Sequence, residues 1–183
     1  MLKINLDQPS WAAGSSWLAK HFLWLNALMF QLVWFTAILL QQDAWPYVTV
    51  LLLLHFYLSP TRRQDLPLLV GVSLVGMLLD STLSLTGVFV FADQAVLPLW
   101  LAFIWFHFAV ALNHSLAWLR RLPLLLVALM GSISGPLSYL GGYRLGAVEL
   151  PLGAFSSALI IGVLWALVLP AFVHFSVWLK RKN

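Results

Sequence analysis

The side chains most able to do chemistry in this chain are the few ionisable ones that interrupt long apolar runs. Asp80 lies 14 residues past Leu66, where one run begins, and His107 lies 13 residues before Arg120, which ends the next run. At a helical rise of about 1.5 Å per residue, each lies roughly 20 Å from the cationic end of its run. Polar groups this deep in a bilayer are costly, so both are candidates for function.

Other polar features fall at about the same level, which we call the outer layer. It comprises Asp80, His107, Gly135, Pro136, Arg144 and Glu149. Gly135-Pro136 is predicted to break its helix, because proline lacks a backbone donor, and interrupted membrane helices can bind small solutes. A long Arg144 side chain can reach down towards Asp80. Two interpretations stay open: Asp80 pairs with Arg144 or His107 and fixes the packing, or it serves a ligand or a proton.

A second set of polar side chains, the inner layer, lies roughly 7–11 Å from the cationic ends of the runs. It comprises Asn26, His55, Asn113, His114 and His174. Three histidines at one depth on three helices can bind a metal, but no HxxxH, HxxH or HExxH spacing occurs. We therefore predict no metal and no cofactor. A polar ligand pocket and a purely structural use of the histidines remain the alternatives.

The elements that position these residues are predicted to be membrane-spanning helices. The chain is 62% hydrophobic and 9% charged, whereas a soluble domain is about half apolar and a quarter charged. An interfacial segment over residues 1–19, carrying Trp11 and Trp17, precedes a single all-α domain over 20–183. Its six predicted spans are 21–40, 44–59, 66–88, 95–118, 122–142 and 152–179.

The distribution of cations predicts the orientation of these spans. Of the ten Lys and Arg residues, only Arg144 falls on the side opposite to the other nine. Short loops rich in Lys and Arg face the cytoplasm, so both termini are predicted to be cytoplasmic. The cations stand in pairs at helix ends, which favours anionic lipid headgroups and not nucleic acid as their partner. The absence of cysteine excludes disulfides and thiolate-ligated metals.

Small and aromatic residues complete the predicted packing. The stripe Gly131, Gly135, Ser138 and Gly142 is typical of close contact between membrane helices. On the third helix, one face carries only small or polar residues and is predicted to point into the bundle; it consists of Ser73, Gly76, Asp80, Ser84 and Gly87. Three tryptophans lie deep enough to line a cavity, namely Trp100, Trp105 and Trp165.

Several motifs carry a resemblance to a known family. They are Gly76-Met-Leu-Leu-Asp80, Pro98-Leu-Trp100, Leu112-Asn113-His114-Ser115, Gly135-Pro136-Leu137-Ser138-Tyr139 and Gly142-x-Arg144-x-Gly146-Ala147. With them the chain, from its second helix on, resembles an uncharacterised bacterial inner-membrane family, domain-of-unknown-function family 2878. The resemblance implies a Gram-negative inner-membrane protein without an assigned activity and, through the family's association with enzymes of fatty-acid modification, a link to lipids.

A looser likeness is to the substrate-binding subunits of energy-coupling vitamin transporters and to the rod-shape protein MreD, which are also small helical bundles. The transporter subunits dock a partner through an Ala-x-x-x-Ala face on their first helix. The first helix here carries Asn26, Ala27, Phe30 and Gln31 instead, which argues against such docking.

Three functions remain. The favoured one is binding or moving a small solute or lipid through the outer layer. The second is a membrane-embedded enzyme of lipid metabolism, with acid–base or metal chemistry at the inner layer. The third is a scaffold that binds another membrane protein through its small-residue face.

Overall fold

The structure, a computed structural model, describes residues 16–91 and 96–182, with side chains described for 21–91 and 96–181. Of the predicted interfacial segment at 1–19, therefore, only the last four residues are described, as the start of a helix. The described residues form six α-helices: α1 (Ser16–Leu40), α2 (Trp45–Leu58), α3 (Arg62–Leu85), α4 (Leu99–Ala111), α5 (Leu124–Arg144) and α6 (Ala154–Lys182). Within the described ranges the only β-pairing is an isolated bridge between Val90 and Glu149. The all-α prediction is confirmed.

The surface of the bundle identifies a membrane protein. Many large apolar side chains point outwards: Phe155 is 83% exposed, and Leu85 and Leu125 are each 72% exposed. Soluble proteins do not present apolar surface on this scale. Four helical stretches are long and apolar enough to cross a bilayer, namely His21–Leu58, Arg62–Leu85, Leu124–Arg144 and Ala154–Arg181.

The first of these stretches is a hairpin of α1 and α2. Gln41, at the start of a 3-10 turn, has a φ of +45°, a left-handed conformation that turns the chain. The two helices then run side by side, and Asn26 on α1 contacts His55 on α2 at 3.4 Å. This arrangement agrees with the predicted separation of two spans at residues 41–43.

The helix within the fourth predicted span, 95–118, is shorter than predicted. The helix α4 covers Leu99–Ala111 and is buried along most of its length at the centre of the bundle, so it does not need a full lipid-facing span. The α-helix does not continue past Ala111 in regular form. The Ser115 backbone N–H donates to the Asn26 side chain at 3.1 Å and not to a backbone carbonyl of the helix. A 3-10 helix at Ala117–Arg121 follows.

The predicted break in the fifth helix is wrong. α5 is continuous through Pro136, because the neighbouring helix α6 packs closely against it. A Cβ on Gly131 or Gly135 would overlap Trp165 of α6, and a Cβ on Gly162 of α6 would lie 3.0 Å from the Ser132 carbonyl oxygen. The small residues at 131 and 135 therefore serve close helix contact, as predicted.

The ends of the bundle differ in charge. At one end, Arg120 contacts Ser176, and the start of α1 meets His114 through the ring of Phe22. At the other end, Gln41 donates to the Gly146 carbonyl. Nearly all cations of the described helices lie near the first end, which we call the cationic end.

Candidate functional site

A cavity of about 70 Å³ lies between α1, α3, α4, α5 and α6. A water needs roughly 10–15 Å³ of such space, so the cavity has room for a few waters or one small chemical group. Its wall is largely aromatic and is lined by Phe30, Trp34, Phe91, Trp100, Trp105, Phe108, Tyr139 and Trp165 among others. The prediction that Trp100, Trp105 and Trp165 line a cavity is confirmed.

Among the described residues of this wall, the only carboxylate is that of Asp80, which has no exposed surface. The Trp105 indole N–H donates to its Oδ2 at 2.6 Å, and the Tyr139 hydroxyl donates to its Oδ1. Gly76, one helical turn before Asp80, leaves room for the Trp105 ring, because a Cβ there would overlap it. The inward face predicted on the third helix thus serves to seat an indole against the carboxylate.

The predicted partners of Asp80 are replaced by others. His107 lies on α4 and its Nδ1–H donates to the Phe103 carbonyl at 2.9 Å, while its Nε2 has no hydrogen-bond partner among the described residues. Arg144 and Glu149 are exposed at the end of α5 and beyond it. Of the outer-layer residues, only Asp80 lines the cavity, and Gly135 and Pro136 pack towards α6.

A second site lies near the cationic end and centres on Asp65, a residue that was not predicted from the sequence. Its carboxylate is fully buried and accepts from Ser59 Oγ at 2.5 Å and from Asn113 Nδ2 at 2.6 Å. His55 Nε2 lies 3.2 Å from its Oδ2, and His114 Nε2 lies 3.0 Å from its Oδ1. We call Asp65, His55, His114 and Asn113 the inner cluster.

Asp65 was missed because the third span was predicted to begin at Leu66. The helix begins at Arg62, so Asp65 lies in its first turn and faces inward. A signal existed in the sequence: Asp65 is an acidic residue only two positions from the cationic pair Arg62-Arg63. Its burial, however, depends on residues about 50 positions later in the chain.

Four of the five inner-layer residues do come together. Asn26 Oδ1 accepts from the backbone N–H and from the hydroxyl of Ser115, at 3.1 and 2.6 Å. These bonds orient the Asn26 amide, whose Nδ2 faces His55 Nδ1 at 3.4 Å. The fifth residue, His174, is exposed on α6 and is not among the ligand-type side chains grouped at Asp65, because it lies on a different face of α6 from the buried Ser176. His174 therefore does not join His55 and His114, and Asp65 is the third ligand-type side chain beside them.

Arg120 connects the inner cluster to α6 through hydrogen bonds. Its guanidinium donates to the Leu112 carbonyl at 2.7 Å, to Asn113 Oδ1 at 3.1 Å and to Ser176 Oγ at 2.9 Å. Partial burial lowers the pKa of Arg120 from its usual value, since water stabilises the charged form less there. Asn113 thus connects a guanidinium to the Asp65 carboxylate without direct contact between the two charges.

The two sites offer different chemistry. The outer cavity can hold a small group against aromatic faces with one carboxylate in its wall. The inner cluster has two imidazoles on one carboxylate, an arrangement that can orient a histidine for proton transfer or hold a cation.

Comparison with known proteins places the chain in a family. A family model described as a protein of unknown function (DUF2878) matches residues 23–171. No curated protein matches the chain, and neither does any solved structure, so the looser likenesses to transporter subunits and to MreD have no support. Because the family model covers most of its length, the chain belongs to the DUF2878 family of proteins of unknown function.

Proposed function

We propose that this protein binds a small solute or a lipid group in the aromatic cavity at Asp80. The observation that carries the proposal is a fully buried carboxylate in the wall of a cavity that is otherwise lined mainly by aromatic and aliphatic side chains. Binding pockets are typically apolar with a few placed polar groups. Aromatic faces with a carboxylate favour a ligand that presents a positively charged or hydrogen-bond-donating group.

We further propose that the chain lies in the bacterial inner membrane with six crossings and both termini in the cytoplasm. Support comes from the nine cations assigned to one side and from the gathering of charges at one end of the bundle. In this orientation the Asp80 cavity lies in the outer half of the bilayer and the inner cluster near the cytoplasm.

Native mass spectrometry of protein extracted gently from its own membrane tests the binding proposal. We expect a retained small molecule or lipid at a fixed ratio, lost in Asp80→Asn and retained in Asp43→Asn, whose carboxylate is exposed. Binding that survives Asp80→Asn, or the absence of any bound molecule, would contradict the proposal. Quenching of tryptophan fluorescence by the identified compound gives an independent readout, because four indoles line the cavity.

A membrane-embedded enzyme of lipid metabolism is the second candidate. It is favoured by His114, whose side chain is 8% exposed and whose Nε2 is oriented by Asp65. Lipid profiles of cells carrying the wild type, His114→Ala or Asp80→Asn separate the two candidates. A changed lipid profile with His114→Ala alone would favour the enzyme, and one with Asp80→Asn alone would favour the cavity.

The scaffold hypothesis loses the surface on which it was based. Gly131 and Gly135 are buried against Trp165 of the same chain, so this part of the small-residue stripe does not face a partner. A scaffold would have to use another face.

A further inference from the structure

The inner cluster brings three side chains with metal-binding atoms together from three separate segments. His55 belongs to α2, Asp65 to α3 and His114 to the turn that follows α4. One ligand atom from each lies within 4.8 Å of the other two. This convergence is independent of the proposed ligand in the Asp80 cavity.

The distances between these atoms match those between ligands of one metal ion. Metal–nitrogen and metal–oxygen bonds of about 2.0–2.1 Å place neighbouring ligand atoms about 2.9 Å apart in an octahedral site and about 3.4 Å apart in a tetrahedral one. The distances from Asp65 to His55 and to His114 are 3.2 and 3.0 Å. Both distances fall within the range expected for neighbouring ligands of one ion.

The charge of the cluster is compatible with a bound cation. The Asp65 carboxylate is fully buried, and burying an unpaired carboxylate is strongly unfavourable. Among the described residues its closest donors are Ser59, Asn113 and the two histidines, while Arg120 contacts Asn113 and not Asp65. None of these four donors carries a permanent positive charge, and Lys180 at the end of α6 has an electrostatic effect on Asp65.

We propose that His55, Asp65 and His114 bind a divalent transition-metal ion of the zinc type. Two imidazoles and one carboxylate suit zinc, cobalt or iron(II), whereas calcium and magnesium prefer oxygen ligands only. Ser59 and Asn113 hold the carboxylate at 2.5 and 2.6 Å, which is the usual task of groups surrounding a metal ligand.

The contact of Asn26 with His55 bears on the affinity of the site. Metal binding at His55 Nε2 places the remaining proton on Nδ1, which then requires an acceptor. The group facing Nδ1 is the amide Nδ2 of Asn26, a donor, because Ser115 holds Asn26 Oδ1. Asn26→Asp would present a carboxylate oxygen to Nδ1 and is expected to tighten binding about tenfold or more.

The test is calorimetric titration of the purified full chain, carrying an affinity tag without histidine, with Zn²⁺ after treatment with a chelator. We expect one ion per chain. His55→Ala, Asp65→Asn and His114→Ala should each weaken binding 10- to 100-fold or more, while His174→Ala, which removes an exposed histidine outside the cluster, should leave it unchanged. Co²⁺ gives a second readout, since its absorption spectrum reports coordination by nitrogen and oxygen.

Three outcomes would overturn the proposal: no stoichiometric binding, binding unaffected by Asp65→Asn and His114→Ala, or equal loss in His174→Ala. Zn²⁺ should also raise the unfolding midpoint of the wild type and not of His114→Ala, because an ion that binds only the folded state stabilises it. Should Asp65→Asn fail to fold, His114→Ala decides alone, since its side chain lies at the partly exposed edge of the cluster.

Discussion

At the scale of single residues, the hydrogen bonds of Asp80 decide whether the cavity keeps its shape. Both carboxylate oxygens accept from aromatic side chains, one from α4 and one from α5. A buried carboxylate without such donors is destabilising by several kcal/mol or takes up a proton. The aromatic wall and the carboxylate therefore depend on each other.

Tyr139→Phe removes one of these donors while keeping the ring. We expect the free energy of unfolding to fall by about 1–3 kcal/mol, because a buried acceptor loses its partner. Unfolding in mixed micelles with increasing denaturing detergent measures this change. Tyr143→Phe is the matched control, since that side chain is 43% exposed. Equal effects of the two substitutions, or an undiminished effect of Tyr139→Phe in an Asp80→Asn background, would contradict the assigned bond.

Arg120 provides a second residue-level prediction, in which charge and hydrogen bonding can be separated. Arg120→Lys keeps the positive charge but cannot make all three bonds to Leu112, Asn113 and Ser176. We expect a loss of about 1–3 kcal/mol in unfolding free energy. Arg121→Lys, at an exposed position, should change it by less than about 0.5 kcal/mol. If both variants behave alike, Arg120 acts only through its charge.

At the scale of elements, the contact between α5 and α6 depends on glycines whose neighbours differ. A Cβ at Gly131 would meet the backbone carbonyl of Trp165, and one at Gly135 would meet its ring, whereas a Cβ at Gly142 would lie 3.5 Å from Ile38, an ordinary contact. The stripe that looks uniform in the sequence is therefore not uniform in its packing.

Alanine substitutions should reveal this difference by their sign. Gly131→Ala and Gly135→Ala are expected to destabilise the protein by about 1–3 kcal/mol through overpacking. Gly142→Ala should be neutral or stabilising by up to about 1 kcal/mol, because alanine favours helix over glycine. The same detergent unfolding experiment measures all three. A destabilised Gly142→Ala variant alongside an unaffected Gly131→Ala variant would show that the helix contact is assigned wrongly.

At the scale of the whole molecule, the proposed six crossings can be tested because the chain contains no cysteine. Single cysteines at Leu145 and Leu152, both exposed at the end of the bundle opposite to the cations, should react with a membrane-impermeant maleimide in intact cells from which the outer membrane has been removed. Cysteines at Arg121 and Arg181 should react only after lysis, since positive loops face the cytoplasm. The reverse labelling pattern would show that the chain has the opposite orientation. Labelling of all four sites in intact cells would contradict the proposed topology.

The sequence by itself determined that this is a helical membrane protein, and it predicted which residues face the interior of the bundle. Both follow from the order of apolar and charged residues along the chain, which is a local property. It is also why three expectations hold: Asp80 is buried within the bundle, the three tryptophans line a cavity, and Gly131 and Gly135 lie at a close helix contact. The family was predictable for a similar reason, since its motifs are short stretches of sequence.

Only the tertiary structure decided which polar groups meet. Asp80 accepts hydrogen bonds from Trp105 and Tyr139, which lie 25 and 59 positions later in the chain, and not from His107 or Arg144. Asp65 lies at the centre of the inner cluster, whereas His174 is exposed on α6. The physical reason is that membrane helices which are apolar on all sides carry little amphipathic signal. Their depth can be counted from the sequence, but their rotation about their own axes is set by packing against neighbours that are distant in the chain.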